Sequence, residues 1–273
     1  MNLVSTISQE RNDPRYLQLF LLGSFLAYGL LFLQWSARLD VFAVAFVSSV
    51  ATQVAWVKWK SQPLSSVKSA LISALGLCLL LRVDSVWVMA LAGVATISSK
   101  FLIRYEGKHV FNPTNFGIIL AILSGHAWIS PGQWGHELTT MGLIGLGAVG
   151  ILLRVKRWDL SVTFLLVLFG LESLRLVAYL GWDWPVVFHR FNSGTILLFA
   201  FFMITDPKTS PNSRKGRILW ASMIALLSFF LGQFFYLYQA PLIALFIISF
   251  TTPLIDKVFK AERFKWIPKT QNI

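Results

Sequence analysis

Polar residues along this 273-residue chain fall in short breaks between long apolar runs. The runs cover roughly 16–34, 40–57, 64–82, 84–104, 111–125, 137–153, 158–180, 191–205, 217–238 and 240–258. Most are close to the length that crosses a hydrocarbon core of about 30 Å at about 1.5 Å of rise per residue. The pattern predicts an all-α integral membrane protein of about ten transmembrane helices. The runs at 111–125 and 191–205 are short, which predicts tilted, broken or re-entrant elements there. Residues 1–15 read as a cytoplasmic segment, 16–258 as one transmembrane domain and 259–273 as a basic cytoplasmic tail.

Composition strengthens this reading. The chain is 56% hydrophobic and 13% charged, about half the charge of a soluble domain. Its net charge of +12 sits in the loops, where it sets topology and meets lipid headgroups, so nucleic acid is not an expected partner. With both termini inside, twenty Lys and Arg residues lie in inner segments against three (Arg38, Arg82 and Arg190) in outer ones. The positive-inside rule then places the chain in the cell's inner membrane as a multi-pass protein with cytoplasmic termini. Trp128, Trp134, Trp182 and Trp184 fall in or beside outer loops, as an interfacial belt would. Cys78 is the single cysteine, which excludes a disulfide within the chain and an all-cysteine iron–sulfur site. The N-terminal MNLVSTISQERNDPRY carries no cleavage signal, so the first run reads as a retained span.

Residues 109–112 read HVFN and residues 189–192 read HRFN, each before a short apolar element. Three crossings separate them, which puts His109 inside and His189 outside, the logic of an inverted-topology repeat with elements near 109–125 and 189–205. Pro113 and Gly194 interrupt regular hydrogen bonding, and Asn112 and Asn192 are candidate helix caps. Paired broken elements of this kind mark binding sites in transporters.

The runs FNPTNFG at 111–117 and FFMITDPKTSP at 201–211 resemble motifs of the RnfD/NqrB family of membrane electron-transport subunits. The likeness extends over about residues 15–258. It implies a membrane subunit of a redox system working with other membrane or redox subunits. It also marks Asn112, Pro113, Asn115, Asn192, Gly194, Thr205, Asp206 and Thr209 as candidate cofactor- or ligand-binding positions. Family members in respiratory complexes carry FMN on a Thr within an S-G-A-T motif. The corresponding stretch here, SGHAWISPGQWGHE, lacks it, which argues against covalent FMN and leaves FMN or riboflavin held non-covalently. The shorter chain is more similar to the short RnfD-like, UnbU-type relatives.

Other constellations follow from residue chemistry. Glu172 and Arg175 lie three apart within one run and predict an intramembrane charged pair. His126, His136 and His189, with Glu137 and Asp183 nearby, are weak metal candidates in no standard spacing, and no metal is expected. Catalytic residues are not identifiable: there is no P-loop, no G-x-G-x-x-G and no Ser–His–Asp order, and whether the chain is an enzyme stays open. Two further function classes also remain: a channel or carrier for an ion or small molecule, and a biosynthetic membrane protein acting on an apolar intermediate.

Overall fold

The computed structural model of the protein describes residues 13–35, 38–61, 66–134 and 138–264. Helices α1 (Pro14–Leu31), α2 (Leu39–Trp59), α3 (Val67–Leu80), α4 (Val86–Leu102) and α5 (Pro113–Leu123) come first. They are followed by α6 (Leu138–Val155), α7 (Trp158–Ser173), α8 (Trp184–Phe191), α9 (Gly194–Leu198), α10 (Arg214–Phe234), α11 (Ala240–Ser249) and α12 (Thr252–Val258). Segments of π-helix, Leu174–Tyr179 and Phe199–Met203, extend α7 and α9. Strand β1 (Leu81–Val83) pairs antiparallel with β4 (Ala127–Ile129), and β2 (Arg104–Tyr105) with β3 (Lys108–His109).

Every apolar run meets a helix, but the helices differ in reach. Three are long and apolar enough to cross a membrane by themselves: Leu39–Trp59, Trp158–Tyr179 and Arg214–Phe234. Two bent pairs, α8 with α9 and its π segment (57°) and α11 with α12 (53°), bring the number to five. The other apolar helices are shorter, at 10–17 residues. Leu91, Leu123, Leu146, Leu153 and Leu166 point outward, 65–78% exposed, as a lipid-facing surface requires and a water-facing one disfavours.

Local chemistry sets the helix starts. Asp13 caps α1 by accepting from the Arg15 N–H at 3.0 Å, with Pro14 opening the helix,. Asn112 caps α5 in the same way, accepting from the Asn115 N–H at 3.1 Å ahead of Pro113. The β2–β3 hairpin turns through Glu106 (φ 47°) and Gly107 (φ 80°), two left-handed residues whose twist suits a tight hairpin.

Two sets of helices pack by matching rules. In the first, α1 and α2 pack on α3, α2 on α4, and α4 on α5. In the second, α6 and α7 pack on α9 and its π segment, α7 on α10, and α10 on α11. The sets meet where α1 touches α6 and α5 touches α11. Asn115 Nδ2 donates to the Leu242 carbonyl at 3.0 Å across the α5–α11 contact, and Phe111 stacks on Phe246 with centroids 4.8 Å apart. Gly117 permits the close approach of α5 to α4: a Cβ there would collide with Thr96 Oγ1 and lie 2.7 Å from the Ala92 carbonyl oxygen.

Candidate functional site

The two motif segments converge on one cavity of about 140 Å³. Asn112, at the start of α5, donates through Nδ2 to the Met203 carbonyl at 3.2 Å, just before the TDPKTSP turn. That carbonyl is available because the π winding of Phe199–Met203 ends there. One side chain thereby caps its own helix and ties it to the second motif. Asn112, Pro113, Thr205 and Asp206 all line the cavity.

Asp206 sits in a turn that folds around it. Its Oδ1 accepts from the Lys208 N–H at 2.9 Å, while its carbonyl accepts from the Thr209 and Ser210 N–H groups at 3.2 and 3.0 Å. Pro207 prevents the helix from continuing. Thr205 turns its hydroxyl back to the Phe201 carbonyl at 2.7 Å. Burial raises the Asp206 carboxyl above the usual carboxylate range, against the pull of Lys208 and two more distant lysines.

Three cavity residues went unmarked as site candidates in the sequence. Lys100, in the last turn of α4, is 5% exposed and donates to the Ser69 carbonyl and hydroxyl, both at 3.1 Å. His109, held on β3 opposite Arg104, is pushed down to about 3 by burial and by Arg104, Lys208 and Lys100. It is therefore neutral at ordinary pH, and its Nδ1 is buried without a hydrogen-bond partner. Arg15 reaches the same cavity from α1. Lys100 stands in the sequence as a cation one turn inside the end of an apolar run, a signal that topology alone seemed to account for. A second cavity of about 350 Å³ shares His109, Pro207 and Lys208 with the first and adds Arg104 and Arg263.

The remaining motif residues stand apart from this cavity. Asn115 is behind it, joining α5 to α11, with its Oδ1 buried and unpartnered. Thr209, 1% exposed, closes the turn by donating to the Asp206 carbonyl at 3.3 Å. Asn192 ends α8, and Gly194 opens α9 beneath the Trp134 ring, where a Cβ would lie 2.5 Å from the indole.

Glu172 and Arg175 do not pair directly, which corrects the expectation from their spacing. Arg175 lies in the π turn that follows Glu172, where the wider winding takes it off the three-residue alignment of an α-helix,. Gln233 of α10 stands between them: its Nε2 donates to both Glu172 oxygens at 2.7 and 2.9 Å, and its Oε1 accepts from Arg175 at 2.9 Å. The ion-pair partner of Glu172 is Arg190 of α8, at 2.9 Å. Of the histidines, His126 binds exposed Asp84 at 2.7 Å, His189 lies in the last turn of α8, and His136 and Glu137 fall outside the described residues. Among the described residues no group of three or more His, Cys, Asp or Glu side chains is placed to hold a metal ion.

Comparison with known proteins matches residues 120–265 to the model of the NQR2, RnfD, RnfE family. The chain is similar to bacterial proteins named as the RnfD-type component of an ion-translocating oxidoreductase complex. It is 28% identical to the one from Escherichia fergusonii over 56% of this chain and 41% of the relative. For that from Stutzerimonas stutzeri the values are 32%, 52% and 42%. Against that from Aliivibrio salmonicida identity is 24%, over 85% of this chain and 88% of the relative. The chain thus matches about two fifths of the length of the first two relatives. With the family match extending over more than half its residues, the chain belongs to the NQR2, RnfD, RnfE family.

Proposed function

We propose that this chain is a membrane subunit of an ion-translocating redox complex and that its motif cavity is the ligand site. The observation that carries the reading is the Asn112–Met203 bond, which closes the two motif segments around a single cavity. Relatives named as components of an ion-translocating oxidoreductase complex support the redox assignment. The ligand is FMN or riboflavin held non-covalently. The donor set fits such a molecule: a neutral imidazole with an unpartnered nitrogen, a buried lysine, and Arg104 and Lys208 in the adjoining space for a phosphate,. A bound flavin would supply electron transfer, while these side chains bind and orient it.

The fold reading that goes with this is ten spans with both termini cytoplasmic. The matching packing of α1–α5 and of α6, α7, α9, α10 and α11 supports an inverted repeat of five elements each. It pairs α5 with α11, each opened by a proline, in place of pairing 109–125 with 189–205. An odd number of crossings per unit inverts the second relative to the first. Partners are the bilayer and other redox subunits.

The test is the absorbance of detergent-purified protein before and after acid precipitation. A flavin spectrum released into the supernatant, lost in Asp206→Asn and Lys100→Met variants that remain folded, is the expected result. Flavin remaining in the pellet would refute non-covalent binding, and unaltered retention in both variants would refute the site.

A further inference from the structure

A second cavity, of about 440 Å³, lies at the opposite end of α9 from the motif cavity, between α7, α9, α10 and the start of α11. Its size is that of small-molecule sites, about 300–1,000 Å³. Leu168, Phe199, Ile196 and Leu242 make one wall apolar. The facing wall is polar and deeply buried: Glu172, Gln233 and Ser228 are 8%, 7% and 3% exposed.

The hydrogen bonds on that wall are unequally used. The Glu172 carboxylate is already satisfied by two bonds from Gln233 and one from Arg190. Arg190 neutralises it, and Arg175 beyond Gln233 leaves the chain of four groups with one net positive charge. By contrast, the Ser228 and Thr195 hydroxyls are buried and have no hydrogen-bond partner, although both face the cavity. Buried hydroxyls without partners cost free energy and are uncommon. What the wall still offers is O–H and guanidinium N–H donors, so the missing partner is an acceptor.

We infer that this cavity is a binding site for a compact lipophilic molecule carrying an acceptor oxygen at one end, either a ketone or a carboxylate, with its rings against Phe199 and Leu168 and its oxygen toward Ser228 and Thr195. A cation is disfavoured by the net charge of the wall. The site is separate from the motif cavity and does not depend on a flavin there.

The experiment is equilibrium dialysis of the full chain in lipid nanodiscs, with empty nanodiscs subtracted. Three probes share one ring system: 2-acetonaphthone, 2-naphthoate and 2-naphthylmethylammonium. One equivalent of the ketone or the carboxylate should bind per chain, and whichever binds more tightly identifies the headgroup. The ammonium should bind at least about tenfold more weakly. Ser228→Ala should weaken binding about threefold to tenfold, the worth of one neutral hydrogen bond, with an unchanged melting temperature. Ser228→Leu, which fills the space, should abolish it. No binding above empty nanodiscs, preference for the ammonium, or full binding by the folded Ser228→Ala and Ser228→Leu proteins would each overturn the proposal.

Discussion

Replacing Asn112 by alanine removes two bonds at once, because one amide serves both motif segments. Its Oδ1 caps α5 at 3.1 Å and its Nδ2 reaches the Met203 carbonyl at 3.2 Å, on a residue 7% exposed. Loss of the cap costs about 1 kcal/mol. Loss of the second bond strands a buried carbonyl, at about 1–3 kcal/mol. Asn112→Ala should therefore destabilise by about 2–4 kcal/mol. Asn112→Ser, which can still cap, should lose only the second contribution. The assay is unfolding of the detergent-solubilised protein in a graded denaturant series, comparing midpoints at equal slope. If Asn112→Ala lies within about 0.5 kcal/mol of the parent, or if serine is no better than alanine, the amide does not join the segments and the geometry of the cavity has been misread.

Two other predictions address packing and pH. Gly117→Ala forces a Cβ to within 2.7 Å of the Ala92 carbonyl oxygen, whereas Gly23→Ala meets nothing within 4 Å; the same denaturant assay should show a loss of about 1–3 kcal/mol for the first and none for the second. His109 has a folded pKa of about 3 against an ordinary 6.5, so on acidification the unfolded chain takes up its proton first and stability falls between about pH 6.5 and 3. Asp206, with its pKa raised, contributes the opposite slope as pH falls toward 3.8. A His109→Asn variant should therefore have a flatter acid limb in a pH series of melting temperatures, and Asp206→Asn a steeper one.

Lipid makes the helices legible. An apolar run must satisfy its own backbone, so the ten runs place the helices whatever the tertiary packing, and Asn112–Pro113 marks the start of α5 on local chemistry alone. The bends are less legible, since the break between α8 and α9 and the π segments reflect how neighbours pack. For the site, Thr205 and Asp206 were visible because a motif carries them. Lys100 and His109 were not, because nothing local shows that α4 and the hairpin deliver them to the same cavity. The Glu172–Arg175 spacing misled for a related reason. It assumes α winding and no competing partner, and the structure has a π turn, Gln233 from α10 and Arg190 from α8.

The hairpin that carries His109 also carries Lys108, and this has a consequence for biosynthesis. Lys108 is buried and donates to Asp256 at 2.7 Å and to the Ser210 carbonyl at 2.6 Å, while Asp256 accepts from the Asn212 N–H at 2.8 Å. The carboxylate that balances the lysine is made 148 residues later, in α12. During synthesis the first five helices emerge with a cation whose counter-charge does not yet exist. The rim of the motif cavity locks only when α12 docks, so ligand capture is deferred until both halves of the protein are in place.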